Sequence, residues 1–400
     1  MSCPARVPEC SVKLFLTLAI IASGLAGRSA IDKALAVRGG AELVALWAQL
    51  ASVVELVSGV AIAGVATGLA VYVARTARAE RQRDLLREAL RLGLALSLPV
   101  ALLAALGGLL APKLSPVLIA VAAFAGWIAV IPGVLNSYWL GQQRRERMLA
   151  LALGSAAIAL LVAIAAPEAH LLWLLALSQA APALVLLFLE KSASAPRFRS
   201  RSHPLRRYLL PGLAIGVLSP ASLLAARAIV GESLSWHEAG VLQALWRVAD
   251  WVCGFAAGIL SVYFLPRFAA LRGSPDFSSE LRRAALWTLA PGAAVFLILY
   301  LAQRPLVAFL YEADFAASDG AVALLFAGSV ARIASWIPLF ALYAMRRTRA
   351  IALGELFSLP LFVLLLGGIG KALTLESAGA AWLASYAVYL VFNLWAMRRG

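Results

Sequence analysis

Twelve apolar runs, each about as long as a membrane crossing, follow one another along the chain. A hydrocarbon core about 30 Å thick needs roughly 20 helical residues to cross it. The runs lie near 12–35, 43–74, 89–111, 117–140, 149–166, 171–190, 209–230, 240–265, 284–303, 320–345, 350–370 and 378–397. They use up most of the 400 residues, so a 62% hydrophobic, 14% charged composition is their consequence, and a set of water-soluble domains is excluded. The expected fold class is an all-α polytopic membrane protein with 12 transmembrane helices. A cleaved signal peptide is set aside for the first run, which is too long for a signal core and carries Arg28 where a bland cleavage region belongs.

Positive charge then orients the chain. A formal net charge of +15 would suggest nucleic acid in a soluble protein. Here the basic residues alternate with the runs. The connections after even-numbered runs hold Arg75 to Arg91, Arg144, Arg145 and Arg147, the segment Lys191 to Arg207, Arg267 to Arg283, Arg346, Arg347 and Arg349, and Arg398 and Arg399. Those after odd-numbered runs hold only Lys33, Arg38, Lys113, Arg304 and Lys371, together with acids such as Asp32 and Glu42. Arginine stays on the cytoplasmic side, so both termini are expected there, with lipid rather than nucleic acid as the partner of the basic loops. Three cysteines and three histidines without ligand spacing exclude a disulfide framework and a zinc site, and no cofactor is expected. There is no phosphate-binding loop of the Walker type, so direct ATP hydrolysis is not the driving force.

The chain also matches itself. At an offset of 199, Arg28, Trp47 and Gly59 face Arg227, Trp246 and Gly258; at 202, Arg144, Arg145 and Arg147 face Arg346, Arg347 and Arg349. Two parallel six-helix lobes are expected, 1–190 and 209–400, joined by a Ser-, Pro- and Arg-rich linker over 191–208.

Once the loops are counted, Arg28, Arg227, Arg247 and Arg332 remain inside the runs, with Glu55 and Asp250 near midspan and Glu355 near an interface. A central charge costs about 2.5–3.5 kcal/mol to insert, so each needs a role. Snorkelling is the competing reading for Arg28 and Arg227, and a neutral pair for Arg247 and Asp250 at i, i+3. Arg332 is too deep to snorkel, with Glu55 or Asp250 as a structural partner the competing reading. Guanidinium groups that stay charged when dehydrated suit an anion, and several spaced ones suit a diphosphate. Arg28, Arg227, Arg247 and Arg332 are therefore the candidate substrate-binding residues, with Glu55 and Asp250 for coupling or charge balance. Pro99, Pro132, Pro211, Pro291, Pro338 and Pro360 are candidate hinges, and Trp246 and Trp336 candidate stacking surfaces for sugars.

The stretch Trp236-His237-Glu238-Ala239-Gly240 leading into Ala244-Leu245-Trp246, then Ser261-Val262-Tyr263-Phe264-Leu265-Pro266-Arg267, then Gly328-Ser329-Val330-Ala331-Arg332, resembles the second half of Wzx-type polysaccharide flippases. Gly68 to Ala74 and Asn136 to Arg147 resemble the first half more loosely. The resemblance implies the multidrug, oligosaccharidyl-lipid and polysaccharide exporter (MOP) superfamily, with two six-helix lobes in a V and alternating access. It further implies a substrate, undecaprenyl-diphosphate-linked oligosaccharide, moved across the bacterial inner membrane for O-antigen or related polysaccharide synthesis. A polysaccharide polymerase and a chain-length regulator are the protein partners such a role implies. A basic residue in the tenth span of related flippases matches Arg332. Lipid II flippases usually carry two more C-terminal helices, so an end at Arg398-Arg399-Gly400 argues against that branch. Two rivals stay open: a multidrug or metabolite exporter on the same scaffold, and a membrane glycosyltransferase or polymerase, which the lack of catalytic groups on the outer loops disfavours.

Overall fold

The computed structural model describes residues 7–110, 113–183, 186, 205 and 209–399, and among them every regular element is helical. The expected linker 191–208 lies outside the described residues except for Leu205. Nine helical segments are long and apolar enough to cross a membrane among the described residues. Large apolar side chains such as Leu103, Leu106, Leu161, Leu301, Leu364 and Val391 stand exposed on them, which in a bilayer is the lipid-facing surface.

The first two expected spans are covered by two helices, labelled together α1 (Val7–Ala61), that meet at a kink. The kink lies at Gly39 and Gly40, where Gly40 takes φ 66°. Glycine alone takes such a dihedral without strain, so the chain turns there, within the connection expected between residues 35 and 43. A π-helical turn, Ile62–Ala66, leads into α2 (Thr67–Arg75). α3 (Ala79–Gly107), α4 (Pro116–Gly141), α5 (Arg145–Ala165) and α6 (Leu171–Ser178) follow.

The second half repeats this order. α7 (Leu209–Ser233) precedes α8 (Trp236–Ile259), which passes through a second π-helical turn, Leu260–Phe264, into α9 (Leu265–Ala270). α10 (Phe277–Leu301), the short α11 (Gln303–Leu310) and α12 (Asp319–Ala344) come next. The eleventh expected span is broken at Ser358 into α13 (Thr348–Gly354) and α14 (Leu359–Ile369), and α15 (Leu375–Arg398) ends the described chain.

By internal contacts the chain gathers into two units, Met1–Ile31 with Leu50–Pro220, and Asp32–Gln49 with Ala221–Gly400. In the first, Val65, Leu69, Leu86, Val134 and Trp139 centre a core where α2, α3 and α4 meet. In the second, Leu260, Phe264, Phe268 and Ala341 do the same. There α12 packs along α15, because Gly328 and Gly379 let each backbone approach the other helix. A Cβ on Gly328 would lie 2.3 Å from Trp382 and one on Gly379 2.9 Å from Leu324.

Candidate functional site

The α12–α15 contact builds the most distinctive polar feature of the second unit. Arg332 lies near the middle of α12, and its Nη1 donates to Asp250 Oδ1 of α8 at 2.8 Å. Three aromatic rings surround the guanidinium: Trp336 at 4.9 Å, Tyr386 at 5.8 Å and Trp382 at 5.9 Å. Trp336 stands one turn along from Arg332, and Trp382 and Tyr386 stand one turn apart on α15, so helical spacing alone brings all three faces to one cation. Arg332 Nε is buried without a hydrogen-bond partner. An unpartnered buried donor costs about 1–3 kcal/mol, so this guanidinium holds spare capacity for an acceptor.

A neutral pair along α8 was the competing reading for Arg247 and Asp250. Instead Arg247 Nε donates to Asp32 Oδ2 of α1 at 2.6 Å, which leaves Asp250 to Arg332. Asp32, expected in an outer connection, is 0% exposed, because α1 runs on as helix to Gly39 and carries it into the packed interior. Arg227 is 2% exposed and donates to neutral groups around it. Its Nε donates to Gln49 Oε1 at 3.2 Å, Nη1 to Gln243 Oε1 at 2.8 Å and Nη2 to the Ala48 carbonyl at 3.0 Å. Arg28, its partner by repeat, lies in the first unit and pairs with Glu55 at 2.9 Å, their side chains 58% and 44% exposed.

Glu355 sits in the turn between α13 and α14, where Tyr389 Oη donates to it at 2.8 Å and Ser358 Oγ at 3.4 Å. With Asp32 added to Glu55, Asp250 and Glu355, the intramembrane acids balance the arginines Arg28, Arg227, Arg247 and Arg332, so the excess of positive charge read from the sequence vanishes inside. Trp246, Phe362 and Trp382 form an aromatic cluster with ring centres 5.1–5.9 Å apart, continued by Tyr386 and Tyr389. Tyr386 and Tyr389 escaped the sequence reading, although their spacing along α15 places them with Trp382 on one helix face.

Near the arginine-poor end of the second unit, a small polar lattice ties the loop after α11 to its neighbours. Lys33 Nζ donates to the Tyr311 carbonyl and lies 3.6 Å from Glu312, while His237 lies 3.5 Å from Asp314. Burial pushes the Tyr311 phenol above its usual range. Among the described residues no group of His, Cys, Asp and Glu could hold a metal ion.

No family model matches the chain, and no curated protein matches it. Solved structures do match. One described as the inward-facing conformation of a multidrug resistance MATE family transporter of the MOP superfamily aligns with a TM-score of 0.73, over 96% of this chain and 97% of its own, at 14% identity. The outward-facing conformation of such a transporter aligns at 0.66, over 97% and 94%, at 15% identity. A MOP superfamily transporter from Pyrococcus furiosus, described as having a binding pocket of reverse polarity that suggests a different function, aligns at 0.66, over 97% and 95%, at 15% identity. The chain is thus an all-α multi-pass membrane protein with the fold of these transporters.

Proposed function

We propose that the protein is a flippase that carries an undecaprenyl-diphosphate-linked oligosaccharide from the cytoplasmic to the outer leaflet of a bacterial inner membrane by alternating access. The observation that carries this reading is Arg332, a permanently charged guanidinium near midspan, ringed by aromatic faces, with a buried Nε that has no partner. A diphosphate oxygen supplies the acceptor that Nε lacks, and it can displace Asp250 from Nη1, since carboxylate and phosphate present the same paired oxygens to guanidinium. Trp336, half-buried, offers a face for a sugar ring, and the polyprenyl tail stays in lipid. Resemblance to Wzx-type flippases in the stretches 236–246, 261–267 and 328–332 supports the same substrate class. A polymerase and a chain-length regulator would then take over the flipped product.

A second reading has its own support. The interior is charge-balanced, and two of the fold relatives are described as multidrug resistance transporters. On that reading a cationic drug displaces Arg332 from Asp250.

The two part in reconstituted vesicles. The purified protein is expected to move a fluorescent undecaprenyl-diphosphate-linked oligosaccharide between leaflets, and Arg332→Ala to slow that movement by about tenfold or more. No movement of this lipid by the unmodified protein, together with Asp250-dependent transport of a cationic dye, would replace the flippase by the exporter.

A further inference from the structure

The arginine-rich end of the first unit carries an open polar cleft of about 410 Å³, within the usual range for small-ligand sites. It lies between the end of α2, the start of α3 and the turn that follows α4. Arg75 and Arg144 line it from opposite elements, and no acid lines it. Among the described residues neither guanidinium takes part in a hydrogen bond or ion pair. Gln142 lines the cleft as well, and its Oε1 is buried without a partner. The network fixes which way this amide points. Gln82 Nε2 donates to the carbonyls of Thr76 at 2.6 Å and Val73 at 3.3 Å, so Gln82 presents its oxygen to Gln142. Gln142 Nε2 donates to that oxygen at 3.0 Å and leaves its own oxygen free.

The internal repeat shows what a closed version of this end looks like. α3 and α10 start in register, so Gln82 corresponds to Glu280, and Glu280 accepts from Arg267 Nη1 at 3.0 Å. Arg347, the counterpart of Arg144, donates to the Ala396 carbonyl. In the second unit the acid and the arginines satisfy each other or the backbone. In the first, a neutral glutamine stands where the acid would be, and two guanidinium groups and one amide oxygen are left facing an open cleft.

We propose that this cleft binds a phosphate ester whose organic part carries hydroxyl groups. Arg75 and Arg144 hold the phosphate, and Gln142 Oε1 accepts a hydrogen bond from a hydroxyl. Two sources present this chemistry: a hydroxylated phospholipid headgroup such as phosphatidylglycerol, and the sugar-phosphate head of the transported lipid. Only the second rests on the flippase reading.

The test is equilibrium binding to the full-length protein purified in phospholipid-free detergent, with sn-glycerol 3-phosphate, glucose 1-phosphate and inorganic phosphate as soluble probes. Saturable binding of the two esters is expected, tighter than that of inorganic phosphate. The double change Arg75→Gln with Arg144→Gln is expected to weaken it about tenfold or more, and Gln82→Glu, which restores the acid of the second unit, to do the same. Gln142→Leu should erase the preference for the esters. Stronger competition by phosphatidylglycerol than by glucose 1-phosphate assigns the site to the bilayer, and the reverse to the cargo. No saturable binding, or binding that both the double variant and Gln82→Glu leave unchanged, would overturn the proposal. Binding is read without transport, so either result leaves the flippase reading to its own experiment.

Discussion

Asp32 and Arg247 lie far apart in sequence and meet at 2.6 Å inside the second unit. Each is costly to bury alone and tolerable together, and removing one member of such a pair costs about 3–5 kcal/mol because the other charge is left dry. Replacing both by apolar groups of similar volume costs far less. Asp32→Leu and Arg247→Met are each expected to lower the unfolding midpoint of the purified protein sharply, and the double variant to recover most of the loss. Additive losses in thermal unfolding would show that the two charges do not act as a pair. The same pair marks how far residues could be read from the chain. Arg332 was visible as a deep cation with Glu55 or Asp250 as its neighbour, since charge inside an apolar run is conspicuous whatever its partner. Asp32 was not, because Lys33 and Arg38 beside it imitate a loop, and only the continuation of α1 to Gly39 places it inside. Arg227 and Arg28 look alike in sequence, yet Gln49 and Gln243 enclose one while the other pairs with Glu55 at a surface. Amides on neighbouring helices leave no periodic trace that would announce such a pocket.

Helices repeat more faithfully than residues do. The π-helical turns Ile62–Ala66 and Leu260–Phe264 stand at matching places, and such turns insert one residue into a helix, so their recurrence is hard to produce by chance. α4 and α12 both span 26 residues, both start from a serine cap, Ser115 and Ser318, and both end in a residue with φ 61°, Gln143 and Arg346. The hydrogen bonds around those ends also match: Arg144 N to Trp139 O and Gln143 N to Leu140 O against Arg347 N to Leu342 O and Arg346 N to Tyr343 O. This corrects the arginine alignment by one position, since Arg144 falls on Arg347 rather than on Arg346. Identical letters had aligned the motif, whereas the turn geometry aligns the chain. Close helix contacts were equally hidden, because a glycine at a crossing reads like any other glycine. Gly240 is one: a Cβ there would lie 1.9 Å from the Ala41 carbonyl oxygen, and backbone cannot yield. Gly154 has nothing within 4 Å. Gly240→Ala is expected to cost 1–3 kcal/mol or more by forcing α8 off α1, by the usual order of overpacking. Gly154→Ala should be neutral or add about 0.5–1 kcal/mol of helix propensity. Thermal unfolding of the two variants side by side checks the opposite signs.

Over the whole molecule the span pattern was legible because the hydrophobic cost of exposing a crossing is collective, and a misplaced boundary of a few residues does not erase it. The grouping into units was less so: Asp32–Gln49 belongs with Ala221–Gly400 through contacts between residues distant in sequence, which no local pattern encodes. Polarity along the membrane normal comes from both levels. The helices with hydroxyl side-chain caps, at Ser115, Ser235, Ser318 and Thr374, start from the arginine-poor connections. The starts on the arginine-rich side, α3, α5, α10 and α13, have no side-chain cap, and Arg144 and Arg347 occupy the cap position itself. A cation at a helix N-terminus opposes the helix dipole by about 0.3–1 kcal/mol. Arginine is placed there against local helix energetics, and retention of positive charge on one side of the membrane is the stronger term that accounts for it. Alkaline phosphatase fused after Gly273 or Arg346 is therefore expected to stay inactive in the cytoplasm, and fused after Glu312 or Lys371 to become active outside. The opposite pattern would invert the protein in the membrane and place the cleft of Arg75 and Arg144 on its outer face.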